Sequence, residues 1–294
     1  MEFHTPVLAT ETITALDVKE NGIYIDATLG HGGHTLEILK KGGIVYGFDQ
    51  DPTNLQLATD RIKTAGFESK FFPIHANFIE IESIAKKKIG QKVDGLIADL
   101  GLSQNQQVGQ GRGFSFNDDQ SLDMRLDPET QELTAENIIN TCDYDELFEI
   151  FTKLAQEQYA KPLILKIIRE RQKLPITTGS RLADIIREYY NDHHLRSKID
   201  PSTKIFLALR IYVNDESTNL KKILFQSLNV VKKDGIVAII TFHSGEDRIV
   251  KQFIRDHSTQ KLVIENKKAT KASFTETKTN PLSRSATLRS YKII

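Results

Sequence analysis

Residues 22–34, GIYIDATLGHGGH, constrain the fold more tightly than any other stretch. Ile23, Tyr24 and Ile25 make a short apolar run with β-branched and aromatic character, the mark of a buried strand. Asp26 and Thr28 lead into Gly30, Gly32 and Gly33, and His34, Leu36, Ile38 and Leu39 follow with helical spacing. Strand, glycine turn and helix bring backbone N–H groups and a helix N-terminus up to a ligand. Glycine suits such a turn because it accepts positive φ and carries no Cβ to hold a ligand away.

The glycines at 30, 32 and 33 do not fit the three-glycine spacing of dinucleotide sites, and the acidic Asp26 precedes them. An acid before the turn suits a cationic or hydroxyl-rich ligand better than a pyrophosphate, which favours S-adenosylmethionine over NAD. An ordinary strand–helix turn is the competing reading.

The rest of the chain extends this unit. Thr5-Pro6 is a helix start, with Val7, Leu8, Ile13 and Leu16 as its inward positions. Strands are predicted at Ile44–Phe48, ending in Asp49, at Phe71–His75 and at Val93–Asp99. Helices are predicted after Asp51-Pro52, with Leu55, Leu57, Ala58 and Ile62 as the apolar face, and over Phe78–Ile89. Strands alternating with helices argue for a parallel, doubly wound sheet. Residues 101–119 have no period and read as a long loop, a kind that is usually functional or disordered.

From Thr134 to Asn214 the apolar spacing is wholly helical, so an inserted helical domain is expected. The first pattern resumes with a helix at Leu220–Val231, a strand at Ile236–Phe242, a helix at Gly245–His257 and strands at Leu262–Glu265 and Thr287–Ile293. Lys267–Asn280 reads as a polar loop. A closing strand pair differs from the plain dinucleotide fold and matches a methyltransferase sheet, whose last strand enters antiparallel.

Composition narrows the class. Of the 294 residues 39% are hydrophobic and 27% charged, as in an ordinary globular protein. No apolar run approaches the roughly 20 residues of a membrane helix. The start, MEFHTPVLATE, has neither a basic nor an apolar signal region, and Cys142 is the only cysteine, which rules out a cysteine-rich zinc site; a cytoplasmic protein is expected. Net charge is zero but uneven: residues 1–152 carry 12 Lys+Arg against 25 Asp+Glu, residues 153–210 carry 12 against 6, and residues 251–294 carry 10 against 3. Such asymmetry hints at nucleic acid, although solvated helix faces account equally well for either basic segment alone.

Asp49 lies 19 residues after Gly30 at a strand end, where an acid accepts hydrogen bonds from ribose hydroxyls. Asp51, just before Pro52, is the better helix cap and leaves Asp49 free. Phe78 either stacks on an adenine or is a core phenylalanine. Asp99 ends the fourth strand, so Asp26, Asp49 and Asp99 share one rim of the sheet.

The blocks HTPVL, GIYIDATLGHGGH, DLGLS, RGFSF, LDMRLD, ALRIYVN and FHSGEDRIVKQF together resemble the RsmH (MraW) family, from His4 to about Arg289. The resemblance implies a Rossmann-like class I S-adenosylmethionine-dependent methyltransferase sheet, α/β, with an inserted all-helical domain. It divides the chain into a methyltransferase domain, residues 1–120 and 211–294, and a helical substrate-recognition domain, residues 121–210. It implies methylation of the exocyclic N4 amino group of a decoding-centre cytidine in 16S rRNA of the small ribosomal subunit. Cofactor contacts fall by resemblance on Gly32, Gly33, His34, Asp49, Phe78, Asp99 and Gln106. Three blocks depart from the usual pattern: Gln104–Val108 lacks a proline, Gly245 replaces leucine, and Leu282 or Ser283 replaces arginine.

A cytosine amino group is a poor nucleophile, whereas a sulfonium methyl is already activated, so no metal is expected and the task is one of positioning. A group must also take up the amino N–H as positive charge builds. Asp99, His243 and Ser244 are the candidates, and a purely structural His243 is the competing reading. Arg112 and Arg125, with the basic segments, are candidates for holding phosphates, although Arg125 also has Asp123 and Asp127 beside it. The alternative function is a ribosomal RNA-binding or assembly factor that keeps the cofactor pocket with impaired turnover. No membrane partner is expected, and a homodimer is left open.

Overall fold

The computed structural model describes residues 5–103, 111–258, 262–264 and 268–294. The chain forms two compact units, Met1–Ser103 with Ser217–Ile294, and Gln104–Glu216.

The first unit is built on eight strands: β1 (Ile23–Asp26), β2 (Ile44–Asp49), β3 (Phe71–His75), β4 (Val93–Asp99), β5 (Val231–Thr241), β6 (Leu262–Ile264), β7 (Thr270–Lys271) and β8 (Thr287–Ile293). Their order is β3-β2-β1-β4-β5-β8-β6, with β7 also on β8. The first five run parallel. β8 enters antiparallel to β5, and β6 and β7 share its outer edge.

Side-chain alternation puts two apolar faces on this sheet. Ile25, Leu96 and Val237 are register partners across three strands and face one way. They pack with Ile223 and Leu224 of α10 (Glu216–Val230) and with Val250 and Phe253 of α11 (Ser244–His257). On the opposite face Tyr24, Val45, Ile97 and Ala238 meet helices α1 (Ala9–Leu16), α2 (Gly33–Lys40) and α3 (Pro52–Thr64) through Leu16, Ile38, Leu39, Ala58 and Ile62. Full burial of each large aliphatic side chain contributes roughly 1.5–3 kcal/mol. Phe78–Ile89 is helical as predicted, a tight turn leading into α4 (Ile81–Ile84) and a wider last turn at Ala85–Ile89.

Three expectations are corrected. The first helix begins at Ala9, not at Thr5-Pro6, because Leu8 turns the chain at φ 52° and donates its N–H to Glu276 Oε1. β5 begins at Val231, five residues early, and an irregular register separates the Val93–Val231 and Gly95–Ile236 pairs. The polar segment before β8 is not a loop throughout. It holds β7 on the β8 edge and the short helix α12 (Phe274–Thr279), whose Glu276 N–H donates to Ser273 Oγ. Lys267 and Glu265 lie outside the described residues.

The second unit is helical: α5 (Ala135–Thr141), α6 (Tyr144–Glu149), which widens over Ile150–Leu154, α7 (Ala160–Lys173), α8 (Gly179–Asp192) and α9 (Ser202–Val213). Reciprocal caps start two of them, Thr134 with Asn137 and Asp143 with Glu146. The predicted apolar rows close on one core, with Ile138, Leu147, Phe151, Leu163, Ile167, Leu182 and Ile186 in contact. Leu122 and Met124, with partly buried Phe114 and Phe116, pack into that same core. The unit therefore takes in loop residues ahead of position 121.

Candidate active site

The glycine turn is held by its own side chains. Asp26 is buried at the end of β1, and its carboxylate accepts the Thr35 hydroxyl at 2.7 Å and the Thr28 N–H at 3.2 Å. Burial pushes its pKa up. Gly30 has φ 50° and donates its N–H to Asp49 Oδ2 at 2.8 Å; a Cβ there would meet nothing closer than the Thr28 carbonyl at 4.0 Å. Gly32, at φ 71°, would bring a Cβ to 3.2 Å from Ala58 Cβ, and Gly33 would bring one to 3.0 Å from Pro6. Internal packing, rather than the approach of a ligand, therefore accounts for glycine at 32 and 33. Gly30 alone of the three opens onto free space.

Asp49 ends β2 and bridges the turn to α3. Its oxygens accept the Gly30 and Asp51 N–H groups, both at 2.8 Å, and Asn54 Nδ2 at 3.3 Å. Asp51 caps α3 through the Thr53 N–H at 3.0 Å, as expected. Asp49 is nonetheless not free: it already clamps two backbone groups, a role its place in the sequence does not reveal. Burial outweighs these bonds and pushes its pKa up to about 7.

Asp99 ends β4, and its backbone N–H donates to Thr28 Oγ1 at 2.6 Å. Its Oδ2 lies 3.4 Å from Nε2 of His34, which is buried in the first turn of α2. Asp99 Oδ1 and His34 Nδ1 are buried with no hydrogen-bond partner among the described residues. Burial pulls the His34 pKa down, but Asp99, Asp26 and Glu37 outweigh it, and the net shift is upward.

Phe78 is half-buried beside the core, directly after Asn77, which accepts the Ile79 N–H and donates to Gln50 Oε1. Gln106 lies outside the described residues. Asn54, missed in the sequence, is buried and links this rim to the following loop, its Oδ1 accepting the Ser103 hydroxyl at 3.1 Å. Its signal was spacing: Asn54, Ala58 and Ile62 form one inward row of α3, and a polar residue in such a row needs a partner.

Two other groups of candidates have local roles. His243 is the N-cap of α11: its Nδ1 accepts the Glu246 N–H at 3.4 Å, and Glu246 Oε2 accepts the Phe242 N–H at 2.9 Å. Ser244 is exposed at the start of that helix. A Cβ on Gly245 would stand 3.0 Å from His243 Nδ1, so glycine here leaves room for the capping ring. Arg125 makes a two-pronged pair with Asp123 and donates to the carbonyls of Pro128 and Gln131. Arg112 donates to the Leu126 carbonyl and lies over the Phe114 ring. Both arginines hold the chain of the helical unit, and for Arg125 the pair with Asp123 is the reading its neighbours in the sequence offered.

A parallel sheet whose penultimate position is taken by one antiparallel strand, with acids at the carboxyl ends of β1, β2 and β4, defines a class I methyltransferase. The whole chain, residues 1–294, matches the MraW methylase family, and it belongs to that family. Its cofactor is accordingly S-adenosylmethionine. Among solved structures it is similar to a provisionally assigned rRNA methylase from Clostridium thermocellum, with 12% identity over all of both chains and a TM-score of 0.49. It is also similar to a provisionally assigned methyltransferase from Streptococcus mutans in complex with SAH, with 12% identity over 99% of this chain and 100% of that one and a TM-score of 0.46. An rRNA methylase from Streptococcus thermophilus gives 11% identity over 100% of this chain and 99% of that one, with a TM-score of 0.44. No helix among the described residues is long and apolar enough to cross a membrane.

Proposed function

We propose that this methyltransferase acts on ribosomal RNA and modifies the exocyclic N4 amino group of a cytidine in the decoding centre of 16S rRNA. The observation that carries the reading is Asp99 Oδ1, a buried carboxylate oxygen at the carboxyl end of β4 without a partner among the described residues. Such an atom demands a donor, and an amino N–H or a hydroxyl is the donor that fits a carboxylate.

The residues present fit the cofactor. Gly30 leaves open space, Asp49 and Asp99 offer acceptors for hydroxyl and amino groups, and Phe78 offers a half-buried ring. Gly33 and His34 would hold it through the turn backbone, which Gly32 shapes by donating its N–H to the Leu29 carbonyl and accepting the Leu36 N–H, with Asp49, Phe78 and Asp99 as side-chain contacts. When bound, S-adenosylmethionine supplies a methyl group already activated on sulfonium. The protein then has to orient the amine, exclude water and accept an N–H where charge builds. Asp99 is the acceptor the geometry supports, because it ends a strand on the same rim as Asp26 and Asp49; the His243 ring caps α11 through Nδ1 and turns Nε2 to within 3.3 Å of Glu246 Oε1, and Ser244 is exposed.

The helical unit is proposed to recognise the substrate, supported by the 12 Lys+Arg against 6 Asp+Glu over residues 153–210. A cytidine must leave its stack to reach such a site, at a cost of a few kcal/mol that is lower in loosely paired RNA. Nucleoside mass spectrometry of 16S rRNA from cells with and without the gene tests the assignment. Loss of one N4-methylated cytidine is expected; an unchanged profile overturns it.

A further inference from the structure

The segment leading into β8 carries charge and an aromatic ring that the methyl-transfer site does not use. Lys268, Lys271, Lys278 and Arg284 are all exposed, against one acid, Glu276. Glu276 is engaged, its Oε1 accepting the Leu8 N–H at 2.7 Å. Phe274 is 75% exposed, the most exposed large hydrophobic residue among those described. The Lys278 ammonium, one turn along α12, lies 4.5 Å from the centre of its ring.

The segment is fastened, so this display is fixed by the fold. Asn280 is buried and donates to the Thr5 carbonyl at 3.1 Å, Ser283 is buried, and Ser273 caps α12. Sheet register fixes its place. Asp99 pairs with Ile240, Ile240 with Leu288, and Leu288 with Thr270. The row runs straight across the sheet, so β7 enters this segment at the same rim as Asp99, three strand spacings or roughly 14 Å away.

A displayed ring among cations, with no acid left unpaired, is the chemistry of a single-stranded nucleic acid platform: bases stack on the ring and phosphates meet the cations. We infer that residues 268–284 grip single-stranded RNA beside the active site, with Phe274 stacking on an unpaired base and Lys271, Lys278 and Arg284 facing phosphates. This rests on the reading of the enzyme as an RNA methyltransferase and names the surface that holds the strand next to the target.

The chain contains no tryptophan, so Phe274→Trp introduces a single tryptophan, excited selectively over the tyrosines, at the proposed platform. Titration with a labelled 12-nucleotide single-stranded RNA is expected to quench its emission as bases stack. Phe274→Ala is expected to weaken binding, read by anisotropy, about tenfold. Lys271→Gln and Lys278→Gln are each expected to lower the log–log salt slope by about 0.7. Calorimetric affinity for S-adenosylmethionine is expected to be unchanged in all four variants, which also shows that they fold.

Unquenched emission at saturating RNA, with full affinity in Phe274→Ala, overturns the inference and leaves the RNA methyltransferase reading standing. Failure of the wild-type protein to bind RNA or small ribosomal subunits overturns both. Equal quenching by a polyglutamate peptide overturns the inference in favour of an acidic protein partner.

Discussion

His34 Nε2 lies 3.4 Å from Asp99 Oδ2, joining the first turn of α2 to the end of β4 inside the sheet's carboxyl rim. Buried Asp26 adds a second acid to the same histidine, and Glu37 a third carboxylate on its helix. A charged imidazole here faces the Asp99 carboxylate as an ion pair. It also orients the carboxylate, with Oδ2 facing the ring and Oδ1 without a partner among the described residues.

His34 is therefore expected to titrate above its usual value of 6.5. A group whose pKa is raised on folding stabilises the protein fully below its unfolded value, and that contribution is lost as pH rises through its folded value. The stability difference between wild type and His34→Gln should be largest below about pH 6.5 and shrink above it. Carbon-detected NMR of the imidazole checks the cause: Asp99→Asn should move the His34 titration downward. An unmoved midpoint would falsify the coupling.

Arg125 carries a prediction about stability. Its guanidinium meets both oxygens of Asp123 and two carbonyls, and both side chains of the pair are about four-fifths buried, 21% and 20% exposed. Removing it leaves a part-buried carboxylate without its cation, so Arg125→Ala should cost about 2 kcal/mol. Burial pushes Asp123 up, but Arg125 outweighs it and holds its pKa below the usual 3.8. That contribution is present above the unfolded value and is lost as pH falls through the folded one, so the variant's deficit should narrow in acid. Urea denaturation at neutral pH and at about pH 3 measures this.

What could be read in the chain followed from local period. Short apolar runs marked β1 to β5, helical spacing marked the inserted unit, and strand ends placed Asp26, Asp49 and Asp99 on one rim. Partnerships made by strand order were not legible. Nothing in the spacing of residues 34 and 99 shows that β4 sits beside β1, which is what brings His34 to Asp99. Gly32 lies in the turn and Gly33 opens α2, yet their close neighbours are Ala58 and Pro6, known only once α3 and the N-terminal segment fold over them. α12 was hidden because its polar residues carry no apolar stripe, and a serine cap and anchoring bonds hold it instead.

Gly30 and Gly32 are expected to separate by function. Gly32→Ala places a Cβ at 3.2 Å from Ala58 with φ at 71°, combining steric crowding with left-handed strain. A loss of about 2 kcal/mol is expected, visible as a lower melting temperature. Gly30→Ala has the strain alone, about 1 kcal/mol, because its Cβ enters open space. That space is where a ligand would lie, so Gly30→Ala should weaken S-adenosylmethionine binding out of proportion to its effect on melting. Calorimetry and thermal denaturation on the same samples decide it, and equal effects of the two substitutions on both readouts would refute the division.

Asp49 gives the sharpest dependence on pH. Burial raises its pKa from 3.8 to about 7, so the folded, ligand-free protein holds a proton that the unfolded chain has lost. Its contribution to stability is full below 3.8 and is lost as pH rises through about 7. Cofactor binding has the opposite sign. Ribose hydroxyls donate best to the ionised carboxylate, so affinity for S-adenosylmethionine should fall as pH drops below about 7, by up to about tenfold per unit. Asp49→Asn removes the titrating group and should flatten this profile. Asp49→Ala, which removes the acceptor itself, should weaken binding at least about tenfold at pH 8, within the roughly 1.5–3 kcal/mol of a charge-assisted hydrogen bond. Calorimetry from pH 5.5 to about 8.5 reads all three proteins. A wild-type profile as flat as that of Asp49→Asn would place the ribose contact on another residue.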